Sequence, residues 1–484
     1  MAPFDAVKGK PRLGLNPGIA DSTTSLDCPA TISMATRTTP SDASSAARAL
    51  PRAIGPLGST AVVVGTIIGS GIFLVPHNVA QQVGSVGSLF LTWIVGGALS
   101  LAGALSLAEL GTAMPEAGGV YVYLREAYGK LFAFLYGWGV LLVINSGSIA
   151  TLGVAFGIYS ASLIPLSAFQ QKLAAAGVIA LLTFINILGV RKGAAVQTIF
   201  TLAKLTGLAI IMGFALFATR AVPVVATQPL PTPHTTFSSF GVALIGVLWA
   251  CEGWHMLSFN AGEVKDPARV LPRSYLLGTS LVVAVYLGAN WAYLRVLPLP
   301  ALAQNQRVAF KAMEVFAGSW GATFVSVLIL CSIFGALNGN VLGGPRVYFA
   351  MARDRVFFAS VGRVHPKFET PALAILIQGI WSIVLAVSGT FEQLYTYVIT
   401  SGWLFYGAAT LAVVILRRRR PALARPYRVW GYPAVPIAFT LVAFAIIANA
   451  FVRKPGESLI GIGIILLGVP IYLGWTALLR RRNT

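Results

Sequence analysis

Apolar runs of membrane-spanning length recur along this chain, and they constrain its fold more than any other feature. A span across the hydrocarbon core of a bilayer takes about 20 mostly apolar residues. Windows of that length fall at roughly 58–81, 86–108, 132–157, 173–190, 196–218, 238–260, 275–297, 318–351, 372–389, 391–416, 433–452 and 459–479. One such run alone fits a buried core helix just as well. Twelve in series do not. Hydrocarbon offers no water to backbone N–H and C=O groups, so each run is expected to be a helix. Composition agrees: of 484 residues, 56% are hydrophobic and only 10% charged, too little charge for a soluble surface. The expected fold class is an all-α integral membrane protein with 12 transmembrane helices.

A net charge of +20 would suit a nucleic-acid partner, but its placement argues otherwise. With the N-terminus in the cytoplasm, 27 of the 35 Lys and Arg residues fall in the N-terminal tail, the even-numbered loops and the C-terminus. The outer loops hold seven: Lys172, Arg220, Arg295, Arg307, Lys311, Arg453 and Lys454. This bias fixes the orientation. The runs at 417–420 and 480–482 read as anchors at anionic lipid. The chain is therefore expected in the inner (plasma) membrane of the cell, multi-pass, with both termini cytoplasmic and no nucleic-acid partner. Residues 1–53, rich in Ser, Thr, Ala and Pro, read as a disordered cytoplasmic tail, and 54–484 as the membrane domain. Met34 is a second candidate start. No secretory signal is recognised: the first apolar run is too long for one and lacks a cleavage site.

Enzyme chemistry finds little support. Cys28, Cys251 and Cys331 show no pairing or metal spacing, and the four histidines are scattered. HExxH, CxxC, GxSxG and GxxxxGK[ST] are absent. A membrane enzyme would need convergent acids or histidines within the spans, and these offer Glu252 and Lys204 without a cluster. No metal, no cofactor and no enzymatic activity are expected.

Two spans are interrupted. In GTIIGSGIFLVP (65–76), Gly69-Ser70-Gly71 lies at the most apolar depth of span one. In LWACEGWHMLSFN (248–260), Glu252-Gly253 interrupts span six. These are matching positions if the first ten spans form two repeats of five, and five spans per half would invert the second copy. Interrupted segments in matching positions point to a transporter site. Unpaired backbone in a membrane is tolerated where it lines a cavity. Amides from about Ile72 onward, with the helix dipole, suit a carboxylate. Carbonyls near Thr66 and Ile67, and around Ala250, Cys251 and Glu252, suit an ammonium group. Together they would recognise the zwitterionic backbone of an α-amino acid. A plain packing face, Gly65-xxx-Gly69, accounts for the first stretch alone. The second break favours a binding site.

At these residues the chain resembles a known family. GTIIGSGIFLVP, AELGTAMPEAGGVYVYLREAYG (108–129) and AGEVKDPARVLPRS (261–274) resemble the amino acid–polyamine–organocation superfamily. Within it they are most similar to bacterial members of the L-type amino acid transporter branch, as is RRRRPALARPYRVWGYPAVP (417–436). The likeness runs from about residue 56 to 450. It implies a LeuT-like 5+5 inverted repeat plus two C-terminal helices, spans 1 and 6 broken, and alternating access with an amino acid held between them. Gly69, Ser70 and Gly71 match the carboxylate-binding break. Trp249 matches the aromatic that closes over substrate, although such a residue in a span also fits lipid or core. Ala250, Cys251 and Glu252 match the unwound segment. Animal members often bind a heavy subunit through a cysteine after span three. The loop here, LIPLSAFQQK (163–172), has none, so no covalent heavy subunit is expected.

Lys204 lies alone within span five, about 12 Å into the helix from Val196 at about 1.5 Å per residue. A snorkelling anchor is the plain reading. Depth argues for function. By resemblance, its ammonium takes the place of a sodium ion between spans one and eight. Relatives carry hydroxyls before the arginine of span eight. Here Gly343, Gly344 and Pro345 stand there, which puts any role of those hydroxyls in holding the lysine in doubt. The expected function is secondary transport of L-amino acids, sodium-independent, by exchange or proton coupling. Glu252 suits cationic side chains, and small neutral amino acids are the alternative. A polyamine or organic-cation carrier is the first rival, a channel or receptor a more distant one.

Overall fold

The computed structural model describes residues 50–217, 234–389, 391–453 and 455–483. Most of the expected tail, residues 1–49, lies outside the described residues. The elements in order are α1 (Pro56–Ile67), α2 (Gly71–Gln82), α3 (Val86–Ala113), α4 (Val120–Tyr128), α5 (Lys130–Ser160), α6 (Ala168–Ile187), α7 (Val190–Phe217), α8 (Phe237–Ala250) and α9 (Met256–Phe259). They continue with α10 (Pro267–Leu294), α11 (Leu299–Gln304), α12 (Val308–Gly343), α13 (Pro345–Arg353), α14 (Ala372–Ser388), α15 (Phe391–Arg419), α16 (Ala434–Arg453), α17 (Pro455–Leu466) and α18 (Gly468–Asn483).

All twelve apolar windows fall on helices. By length and composition, nine described helical stretches suffice to cross a membrane, and the pair α1–α2, bent by 43°, makes a tenth. Two windows fall short. The span-six helix α8 stops after 14 residues because the chain breaks at Cys251, and α14 has 17. There is no strand among the described residues. Ile54 alone pairs in parallel with Val264, its N–H donating to Glu263 O at 2.9 Å and its carbonyl accepting from Lys265 N at 2.9 Å.

Local chemistry sets the helix ends. Ser167 and Gln170 form a reciprocal capping box at the start of α6, and Thr236 with Ser239 does the same for α8. Arg417, Arg418 and Arg419 fill the last turn of α15, where the dipole favours cations. Within α5, one wide turn at Val140–Ile144 is π-helical.

The outward faces carry Phe184, Ile199, Leu277 and Leu441, each exposed, which suits lipid rather than water. Inside, amides join the helices. Asn338 Nδ2 donates to Gln197 Oε1 at 2.9 Å, linking α12 to α7. Asn145 Nδ2 donates to Gln378 Oε1 at 2.9 Å, linking α5 to α14. Polar groups in a membrane bundle are satisfied by such cross-helix pairs. Helix α3 packs along α10, α5 against α12, and α6 against α14, while α2 lies on α8.

The basic loops are tied down at the bundle end. Glu109 of α3, fully buried, accepts from Arg417 Nη2 at 2.6 Å and from the Val429 amide at 2.7 Å. Arg346 of α13 grips Glu263, with Nε–Oε1 at 2.6 Å and Nη2–Oε2 at 3.1 Å, and its Nη1 also donates to the Leu342 carbonyl. Both members of that pair are buried.

Candidate functional site

Ile68, Gly69 and Ser70 separate α1 from α2, and the helix ending at Ala250 does not resume until Met256. The two breaks meet. A Cβ on Gly71 would stand 2.8 Å from the Ala250 Cβ and 2.9 Å from its Cα. Gly253 has φ +121°, and a Cβ there would stand 2.7 Å from the Thr66 carbonyl. Only glycine meets both conditions.

Around this meeting point lies a cavity of about 90 Å³, room for several waters. Thr66, Ile67, Gly69, Ser70, Gly71, Trp249, Ala250 and Glu252 all line it. Cys251 is buried outside that lining. Span three adds Ser148 and Thr151, and span eight adds Ala336 and Asn340. Glycine has two separate duties in span one. A Cβ on Gly65 would run into Gln197 and Thr201 of α7, so Gly65 is a packing residue. A Cβ on Gly69 would meet only Ala336 at 3.7 Å and Leu152 at 4.0 Å, so Gly69 keeps the cavity open.

Lys204 is fully buried, and its ammonium reaches the first break. Nζ donates to Gly65 O at 2.9 Å, Ile68 O at 2.5 Å and Ser332 O at 2.9 Å. An ammonium has three N–H donors, and each has a carbonyl. Snorkelling is thereby excluded: the side chain points to the break, not to the interface. The span-eight contact is at Ser332, well before the Gly343-Gly344-Pro345 stretch whose role the sequence left in doubt. Ser332 Oγ lies 2.9 Å from Gly69 O and 3.1 Å from Ile68 O. Gly343 instead faces Met256 and Phe259, and Gly344 packs against Asn145 and Gln378. The glycines of that stretch therefore have no bearing on how the lysine is held.

Sequence reasoning missed Tyr286 of α10 as well. Its hydroxyl lies 3.1 Å from Ile67 O and 3.0 Å from Ala250 O, so it bridges the carbonyl ends of both breaks. One proton serves two carbonyls, which leaves lone pairs for a ligand. The Glu252 carboxylate sits beside Tyr406 and Trp403 of α15, and its Oε2 is buried with no partner. Among the described residues no cluster of His, Cys, Asp or Glu has metal-binding geometry.

Two interrupted apolar helices sharing a polar cavity, with a lysine at one break, define a membrane transporter built on broken spans. The chain belongs to the amino acid permease family of the amino acid–polyamine–organocation superfamily, whose family model matches residues 54–475. It is 35% identical to the serine/threonine exchanger SteT of Bacillus subtilis (strain 168) over 428 residues, 88% of this chain and 97% of that one. It is 33% identical to the b(0,+)-type amino acid transporter 1 of Mus musculus over 453 residues, covering 90% and 91% of the two chains. The large neutral amino acids transporter small subunit 2 of Homo sapiens is 32% identical over 436 residues, covering 88% and 80%.

Proposed function

We propose that this chain is a sodium-independent carrier of L-amino acids that works by alternating access and favours exchange. The observation that carries this reading is the Lys204 ammonium, bonded to the carbonyls of Gly65, Ile68 and Ser332. Carbonyls freed by a broken helix need a cation. A tethered ammonium supplies one without sodium. Proton coupling through release of the lysine's proton is the other mode compatible with this arrangement.

The substrate's carboxylate would meet the amides opening α2, where no side chain caps the helix. Its ammonium would meet the carbonyl side of the breaks, and Trp249 would close over it. Small neutral amino acids suit a cavity walled by Gly69, Gly71, Ala250 and Ala336. The likeness to a serine/threonine exchanger supports this choice. Cationic side chains are the second reading, favoured by the unpartnered Oε2 of Glu252.

A LeuT-like five-plus-five repeat, within twelve spans, accounts for the packing. Spans two and seven, three and eight, and four and nine are neighbours, as a two-fold axis relating the halves would make them. Both termini would then be cytoplasmic, in a plasma membrane, and the loop at 163–172 offers no cysteine to a heavy subunit. Counterflow of labelled amino acids in proteoliposomes, run with a panel of substrates including polyamines, tests the reading. Exchange of amino acids supports it. Exchange of polyamines alone, or no counterflow, contradicts it.

A further inference from the structure

His255 is the last residue of the second break and lines the cavity, yet the likeness to known carriers assigns it nothing. Its ring is buried and wedged, with the Tyr406 ring centroid at 4.4 Å and Phe259 at 5.6 Å. Nε2 lies 3.0 Å from the Tyr406 hydroxyl. Nδ1 is buried and has no hydrogen-bond partner. An unpaired buried ring nitrogen is costly to the empty protein, so it is a place where a ligand gains.

The neighbours decide which kind of ligand. Tyr406 has one hydroxyl proton, and the Glu252 carboxylate stands beside it. An ionised carboxylate only accepts, and the bond it receives is stronger than one to a neutral nitrogen. With Glu252 ionised, the tyrosine proton goes to it, and the tyrosine oxygen accepts Nε2–H. A neutral imidazole protonated on Nε2 carries a bare lone pair on Nδ1. His255 is a lining residue of the cavity, and Nδ1 is its unpaired acceptor.

We propose that His255 is the residue that reads the substrate's side chain, through Nδ1, and that it selects short side chains bearing a hydroxyl. This rests on the amino acid carrier reading above and deepens it. The hydroxyl donates to Nδ1, and the hydroxyl-free isostere leaves Nδ1 unpaired. Tyr406 is a positioning residue: it fixes the tautomer and touches no substrate.

The test is competition against labelled alanine counterflow, using the full chain in proteoliposomes. Threonine and valine are compared because they match in size and differ by the hydroxyl. The wild type is expected to prefer threonine about tenfold, the scale of one buried hydrogen bond made or left unmade. His255→Phe keeps the aromatic packing and is expected to abolish that preference. Tyr406→Phe keeps the ring and frees the tautomer, and is expected to narrow it. Should His255→Phe fail to fold, the wild-type ratio and Tyr406→Phe decide. Alanine counterflow without a threonine preference in the wild type overturns the proposal alone. A preference that survives in folded His255→Phe overturns it too. Absence of all counterflow removes the carrier reading and the proposal together.

Discussion

Lys204 donates a 2.9 Å hydrogen bond to the carbonyl of Gly65, the last-but-two residue of the helix that breaks at the cavity. The same ammonium closes on Ile68 and on Ser332 of span eight. A helix of span five thus holds span one to span eight through one charge. Any motion that separates these three helices must first break those bonds.

The two glycines of the first break should respond differently to substitution. Gly69→Ala meets only ordinary contacts and is expected to fold, to narrow the cavity and to weaken uptake of the larger substrates. Gly71→Val drives a branched side chain into Ala250 and is expected to abolish uptake. Membrane-inserted protein and substrate affinity are the readouts. Unchanged affinity in Gly71→Val contradicts the account.

Tyr286→Phe removes one hydroxyl and leaves the carbonyls of Ile67 and Ala250 without it. The expected cost is about 1 kcal/mol of stability, with a clear loss of transport because both breaks loosen together. Thermal unfolding in detergent and counterflow measure the two effects. Wild-type values for both would show that the bridge is idle.

The break in span one was legible in the sequence, because Gly69-Ser70-Gly71 stands out against an apolar run, but packing by Gly65 was weighed only as the alternative to it. Lys204 was legible too, as a basic residue deep within span five. Tyr286 and Ser332 were not. Hydroxyls are ordinary in membrane helices, and their roles depend on which helix lies beside them. The span-eight partner of the lysine was hidden for the same reason. Span eight runs from a kink at Gly318 to Gly343, and sequence alone does not say which turn touches the break. Glu252 was picked out by charge, but its neighbours Tyr406 and His255 come from the fold.

Glu252→Gln addresses substrate charge. The carboxylate is the acid of the cavity lining, and its Oε2 has no partner. If it balances a cationic side chain, the variant loses arginine, lysine and ornithine more than neutral substrates. Equal loss across both classes would leave small neutral amino acids as the substrates.

Glu263→Gln breaks the buried pair with Arg346 and leaves a guanidinium half-paired. Loss of one partner of a buried pair costs about 3–5 kcal/mol. The expected result is a lower melting temperature and less protein at the membrane, with substrate affinity of the folded fraction unchanged. A wild-type melting temperature would contradict it.

The central claim is that Lys204 stands where a sodium ion would otherwise be needed. The direct measurement is amino acid uptake into proteoliposomes, with sodium fully replaced by choline, for wild type and Lys204→Ala. The account predicts full wild-type uptake in choline and an alanine variant that inserts but transports at a small fraction of that rate. Strict sodium dependence of the wild type, or full activity of the alanine variant, would contradict it.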